Sequence, residues 1–506
     1  MTKTESHFRR SALILLATAL SFFMHLSKAE AKVTLAKIFS DGAIFQKDKP
    51  VTVFGTALPG EVVTVELGAA KGQVVVGKES RFVLTLPMIP QSGTYDMKVT
   101  GQNTITVKNI RFGQVWLVAG EAVVDAALAD EAALEKKFGS GELADGNLAM
   151  PADIMVFKPP VSLKRNPETI GEGQWVSASS AEATRYSALG LLFARELHRH
   201  VREPIGIIQV SLPKVPIKSW ISPTGLDTNG DTRSMAAKNA LDEDFYNKLW
   251  NEYCQSSDPK KEPATGLTNM ASGISNGMLA PLAPYPLKGV LFCQGESDLN
   301  FPVQYKTLFP VLLKDLRRLF AQEQLPFYYV QMGAQPSQTA DKENMSAAAS
   351  IRHTQYKARI APKSYLIVST DLCHEDMKSG SIYMSVEELA KRVANSTLAT
   401  LYKVPKPYLY PIVEYVENEG EGIKVVFKNA GRGLMAKGEQ PVKGFALAGH
   451  DHKFFDADAK IEGNTVFLEC KYVKAPRYVR YGWGNNPILT IFSLDGLPAV
   501  PYTNDR

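Results

Sequence analysis

Between Val33 and about Ile110 the apolar positions fall in short β-branched runs: Val51-Thr-Val-Phe, Val62-Val-Thr-Val-Glu-Leu, Phe82-Val-Leu-Thr-Leu and Thr104-Ile-Thr-Val. Pro59-Gly60 and Ser92-Gly93 punctuate them, a pattern that predicts a small β-sandwich. The period then changes. Gln114-Val-Trp-Leu-Val-Ala is a continuous apolar strand ending at Gly120, and a helical pattern from Tyr186 to Val201 precedes the strand Ile205-Gly-Ile-Ile-Gln-Val. The strand Gly289-Val-Leu-Phe-Cys leads to a helical stretch from Val303 to Glu323 and the strand Phe327-Tyr-Tyr-Val-Gln-Met. A helix over Asn344 to Arg359, a strand over Tyr365 to Ser369 and a helix over Val386 to Tyr402 follow. Buried strands alternating with helices predict an α/β fold with a parallel sheet, whose sites lie at the carboxyl ends of its strands. After Pro405 the β pattern returns in Gly422-Ile-Lys-Val-Val-Phe, Gly444-Phe-Ala-Leu-Ala and Asn464-Thr-Val-Phe-Leu, a second β-sandwich. The expected organisation is a sandwich over 32–111, an α/β domain over 112–405 and a sandwich over 406–506.

The first residues read differently. Arg9 and Arg10 precede an apolar run from Ala12 to Met24, and Ala29-Glu30-Ala31 has the small-residue spacing of a cleavage site. The run is shorter than the roughly 20 residues that span a bilayer. An export signal over 1–31 is therefore expected, with a secreted or periplasmic product and no membrane span after cleavage. The 506 residues are enough for two or three domains, and 45% hydrophobic with 22% charged residues is an ordinary globular balance. The net charge of +5 comes with no dense Lys/Arg tract, so nucleic acid is not an expected partner. Cys254, Cys293, Cys373 and Cys470 fit neither a zinc site nor a disulfide framework. One bridge between Cys293 and Cys373, or buried free thiols, are both open readings.

Three strand-end segments carry the candidate chemistry: Trp116-Leu-Val-Ala-Gly120-Glu121-Ala122-Val123-Val124, Lys288-Gly-Val-Leu-Phe-Cys-Gln294-Gly295-Glu296-Ser297-Asp298, and Asp371-Leu-Cys-His374 followed by Gly380-Ser-Ile-Tyr383-Met384. In these segments the chain resembles the sialate O-acetylesterase family of SGNH-type carbohydrate esterases. Its members read Trp-Leu-x-Ser-Gly-Gln-Ser-Asn-Met, then Lys-Gly-Val-x-Trp-Tyr-Gln-Gly-Glu-Ser-Asn, then Gly-Ser-Ile-His-Pro. Pro204-Ile-Gly-Ile-Ile, Asn276-Gly-Met-Leu-Ala-Pro-Leu and Val479-Arg-Tyr-Gly-Trp483 extend the likeness over essentially all of the chain after the signal. The resemblance implies an SGNH-like sheet and hydrolysis of O-acetyl esters on sialic acid or other sugars, with no metal or organic cofactor.

Ester hydrolysis by this route needs a nucleophile, a base bonded to it, and donors for the oxyanion. By the resemblance, Ala122 stands where the family has its serine nucleophile, and Tyr383 where it has its histidine. A methyl group cannot attack, and a phenol with a pKa of about 10 is a poor base at neutral pH. Pro213-Lys214 replaces the family's Gly-Gly oxyanion turn, removing an N–H and directing a lysine side chain toward the ligand. The residues carried over as a binding set are Gly120, Glu121, Lys214, Gln294, Gly295, Glu296 and Asp298, the last replacing an asparagine. The Gln294–Ser297 loop reads equally well as a packing element. Ser297, His374 and Asp371 are the possible substitute catalytic groups, though His374 precedes the family histidine position by nine residues. His198 and His200 read as helix-end residues, and His450-Asp451-His452 as a polar hairpin loop rather than a metal site. Losing a triad member can cost on the order of 10⁶ in turnover. The sequence therefore favours a non-catalytic relative that binds acetylated glycan. An esterase with a relocated dyad and a structural or interaction module are the alternatives.

Overall fold

The computed structural model describes residues 32–138, 141–228, 230–238, 243–256, 258, 261–336, 346–375, 379–437 and 441–505. The predicted export signal lies outside them. At the centre is a sheet in the order Trp175–Ser177, Ile154–Phe157, Ile205–Ser211, Thr104–Gly120, Gly289–Cys293, Phe327–Val330, Ser364–Ile367. Neighbouring strands are parallel throughout except for the Trp175–Ser177 edge strand. The apolar run through Trp116 is explained by burial on both faces. Trp116 and Val118 pack on one side with residues of the helices Ala188–Val201 and Val386–Leu401. Val115 and Leu117 pack on the other with Leu308, Phe309 and Ile351, from the helices Pro302–Leu319 and Ala347–Ala358.

The two strands expected around Thr104 and Gln114 are one strand of 17 residues, Thr104–Gly120. Its first half pairs antiparallel with Thr94–Thr100 in the N-terminal β region, and its second half is the centre of the parallel sheet. The polar Lys108-Asn109 step looks like an interruption in sequence. It is a bulge: the register slips between Tyr95 and Met97, Asn109 takes a φ of 59°, and its N–H donates to Asp96 Oδ1 at 3.1 Å. A bulge bends a strand without ending it.

The remaining N-terminal strands form two sheets around Val53, Phe54, Val63, Val65, Met97 and Val99. At the other end of the chain, Val425, Phe427, Leu447, Val466, Val479 and Tyr481 form a separate core between antiparallel sheets. Together these elements make an α/β fold flanked by β-sandwich regions. The strand Ile154–Phe157, the edge strand Trp175–Ser177 and the helices Leu128–Phe138, Gly230–Lys238 and Glu243–Cys254 were not expected from the pattern. All four cysteines are free, so the possible Cys293–Cys373 bridge is absent.

Candidate functional site

The site is built where strands stop. Gly120 lies level with both Ser211 and Cys293 in the parallel register. A Cβ on Gly120 would sit 2.0 Å from the Cys293 carbonyl oxygen, and its φ is 150°, so only glycine fits. That approach lets the Glu121 N–H donate to the Cys293 carbonyl at 2.9 Å, after which the chain turns into the short helix Ala122–Asp125. Asp125 anchors the helix from its far end. Its Oδ1 accepts from Ser211 Oγ at 2.7 Å and from Lys158 Nζ at 3.0 Å.

Ala122 and Tyr383 line one cavity of about 600 Å³, together with Glu296, Gly333 and Glu131. These residues come from loops after three strands of the sheet, from the hairpin Cys373–Glu375/Ile382–Met384, and from the helix Leu128–Phe138. Arg352 fixes the wall on the Gly333 side. Its buried guanidinium donates to the carbonyls of Met332 and Gly333, each at 2.8 Å, and of Gly484 and Asn485, each at 2.7 Å. The loop after the Tyr478–Tyr481 strand is thereby stapled to the cavity wall.

Gln294 is buried beneath the cavity. Its Nε2 donates to Glu121 Oε1 at 3.2 Å and to Asp298 Oδ2 at 2.5 Å, and its carbonyl accepts from Tyr305 Oη and Gln355 Nε2. Its own Oε1 has no partner among the described residues. Asp298 Oδ2 also accepts the Ile217 N–H at 2.8 Å, which ties the Ile217–Ser219 turn to this loop. Ser297 N–H donates to Glu121 Oε2 at 3.3 Å. Burial, then the neighbouring Glu296, pushes the Glu121 carboxyl well above its usual range. Burial also lifts Asp298 to about 6, against the opposing hydrogen bond from Gln294. Glu121 is similar in shape to the glutamine that the resemblance implies at that place, and both of its oxygens accept hydrogen bonds from the Gln294–Ser297 loop.

Tyr383 is buried, and burial followed by its contact with Glu135 pushes its phenol far up. Glu135 accepts from Ser385 Oγ at 2.9 Å. One turn earlier on the same helix, Glu131 is lifted to about 7 by burial, then by the charges of Glu135 and Asp130. Its Oε2 has no partner among the described residues. Sequence reading missed both glutamates because the helix that carries them was not expected. The available signal was the acidic first turn Asp130-Glu131 and the closing Lys136-Lys137, which suit a helix dipole.

Other expectations are corrected. Lys214 does not project into the cavity: its φ is 61° and its exposed ammonium meets Glu262 Oε2 at 2.6 Å. The residue keeps a left-handed turn suited to glycine and turns its side chain outward. Asp371 does not orient His374. Both its oxygens accept from Arg392, each at 2.6 Å, in a nearly buried bidentate pair. Among the described residues no hydrogen bond joins Ser297 to His374, so the two are not assembled as a dyad. His450 faces Arg477, and His452 Nδ1 lies 2.6 Å from Asp505 Oδ1.

Residues 268–399 match a family model described as carbohydrate esterase, sialic acid-specific acetylesterase. The sialate O-acetylesterase of Pongo abelii is 22% identical over 377 residues, spanning 69% of this chain and 67% of its own length. The human sialate O-acetylesterase is 24% identical over 380 residues, with the same coverage of 69% and 67%. The chain is similar to the sialate O-acetylesterases, and residues 268–399 match their family's domain. The fold is shared along nearly the whole chain with a carbohydrate acetylesterase from Xanthomonas citri, which superposes with a TM-score of 0.76 at 24% identity, covering 94% of this chain and 99% of that one. The match to the family model includes the Gln294 loop and Tyr383, whereas Ala122 lies outside it.

Proposed function

We propose that this chain is an exported carbohydrate-binding member of the family that holds O-acetylated sialic acid, or another acetylated glycan, without hydrolysing it. The observation that carries this reading is the pairing of Ala122 with Tyr383 across one cavity. At the strand end where the chemistry needs a hydroxyl there is a methyl group, and opposite it stands a phenol too weakly acidic to serve as a base in ionised form. The cavity remains open, with room for an acetylated sugar unit at about 600 Å³. It also retains hydrogen-bonding groups. Glu131, lifted to about 7, is partly protonated at neutral pH and can donate to a carbonyl.

Saturation-transfer NMR with O-acetylated sialic acid, and with the same sugar after de-O-acetylation, tests the proposal. Saturable binding of the acetylated sugar, lost in Ala122→Trp, is the expected result. Failure of both sugars to bind would contradict it and favour an interaction module. Release of acetate during the titration would instead favour a working esterase.

A further inference from the structure

Away from this cavity, the helices Pro302–Leu319 and Ala347–Ala358 lie side by side on one face of the central sheet. Their inner surfaces hold the Gln294 carbonyl through Tyr305 and Gln355. Their outer surfaces enclose a groove of about 510 Å³. Val303, Pro310 and Leu313 form one wall; Ala358, Ile360 and Pro362 form the other. Val303 and Ile360 are 79% and 83% exposed. Single exposed aliphatic side chains are ordinary, but two on the rim of a concave apolar groove of small-molecule size mark a binding surface.

The charges around the groove are all of one sign. Lys306, Lys314, Arg317 and Lys357 line it, and no aspartate or glutamate does. Arg317 is committed to the protein, donating from Nη2 to the Pro362 carbonyl at 2.6 Å and from Nε to the Leu325 carbonyl at 3.1 Å. The ammonium groups of the three lysines, all on exposed residues, make no hydrogen bond or ion pair among the described residues. Each helix returns antiparallel to the parallel strand it follows, so the two run in the same direction. Lys314 and Lys357, both toward the C-terminal ends of their helices, therefore fall at the same end of the groove.

An apolar trough with two uncompensated cations paired at one end, Lys314 and Lys357, and a single one, Lys306, nearer the other fits an amphiphile with an alkyl body and an anionic head. We infer that this groove binds a long-chain free fatty acid. Its chain lies against Val303, Leu313 and Ile360, and its carboxylate meets Lys314 and Lys357. This inference uses none of the residues of the glycan cavity and stands independently of the reading given for it.

Equilibrium dialysis of the purified chain against labelled dodecanoate, below the concentration at which it forms micelles, tests the site. One saturable equivalent per chain is expected. The Lys314→Glu/Lys357→Glu variant should bind at least about tenfold more weakly, the loss of a charge-assisted contact. Uncharged dodecanol should be weakened similarly, and Ile360→Asp should also bind poorly. All three positions are exposed, and thermal unfolding at the parental temperature verifies that the variants fold. Uptake that does not saturate, equal binding of dodecanol, or indifference to the charge reversals would overturn the inference. So would a concentration-dependent dimer dissolved by Ile360→Asp without dodecanoate uptake, or binding to anionic phosphatidylglycerol vesicles alone.

Discussion

His374 and Tyr383 stand directly opposite one another across the hairpin ladder, their rings 6.4 Å apart and 26° from parallel. A histidine therefore lies one strand away from the position that the resemblance aligns with a catalytic base, but in the exposed position. The buried member of the pair is Tyr383, and it touches Glu135. An imidazole at position 383 would meet a carboxylate that could orient it; His374 meets none among the described residues.

The first prediction follows from that asymmetry. Ala122→Ser alone supplies a hydroxyl without a base, and Tyr383→His alone a base without a nucleophile, so each should leave acetate release from an O-acetylated sugar at background. The double variant should show weak release, because triad members act as a unit. Adding Pro213→Gly restores a missing N–H, and one oxyanion donor is worth roughly 10²–10³ in rate. Adding Lys214→Gly should contribute little, since Lys214 already has a φ of 61° and directs its side chain to Glu262. Ordinary esterase rates from Ala122→Ser alone would show that a base is already in place.

The second concerns pH. Glu131 has its folded-state value raised from 4.5 to about 7, so the native state binds its proton more tightly than the unfolded chain does. The stability this contributes is fully present below about pH 4.5 and is lost as the pH rises through 7. Urea unfolding at pH 5 and pH 8.5 should show a loss on the order of 2 kcal/mol, allowing for the partial exposure of the carboxyl. Glu131→Gln should flatten the difference. Equal slopes in the two proteins would contradict the assignment.

How far the sequence reached is clearest at particular residues. The convergence of Ala122 and Tyr383 was legible because both follow motifs fixed to strand ends, and parallel topology brings such ends to one edge. The long strand was read as two because a bulge and a break both look polar; only the hydrogen bond to Asp96 tells them apart. Lys214 was misplaced because identity at a position does not give the direction of a side chain, which φ decides. Glu131 and Glu135 were invisible because they act through a helix whose polar sequence gives a weak apolar pattern.

Asp371 yields the third prediction. Replacing it with asparagine breaks a bidentate, nearly buried pair and leaves the Arg392 guanidinium uncompensated. Urea unfolding should show a loss of about 3–5 kcal/mol. An Asp371 that served only to orient a catalytic histidine would cost activity and leave stability nearly unchanged.

The absence of a nucleophile at the end of the Thr104–Gly120 strand is tested most directly by intact-mass spectrometry after incubation with a fluorophosphonate. The unaltered protein should keep its mass, while the Ala122→Ser/Tyr383→His variant should gain one adduct, carried by the introduced hydroxyl. Stoichiometric labelling of the unaltered chain, mapped to Ser297, would contradict the account and identify a working serine in a new place.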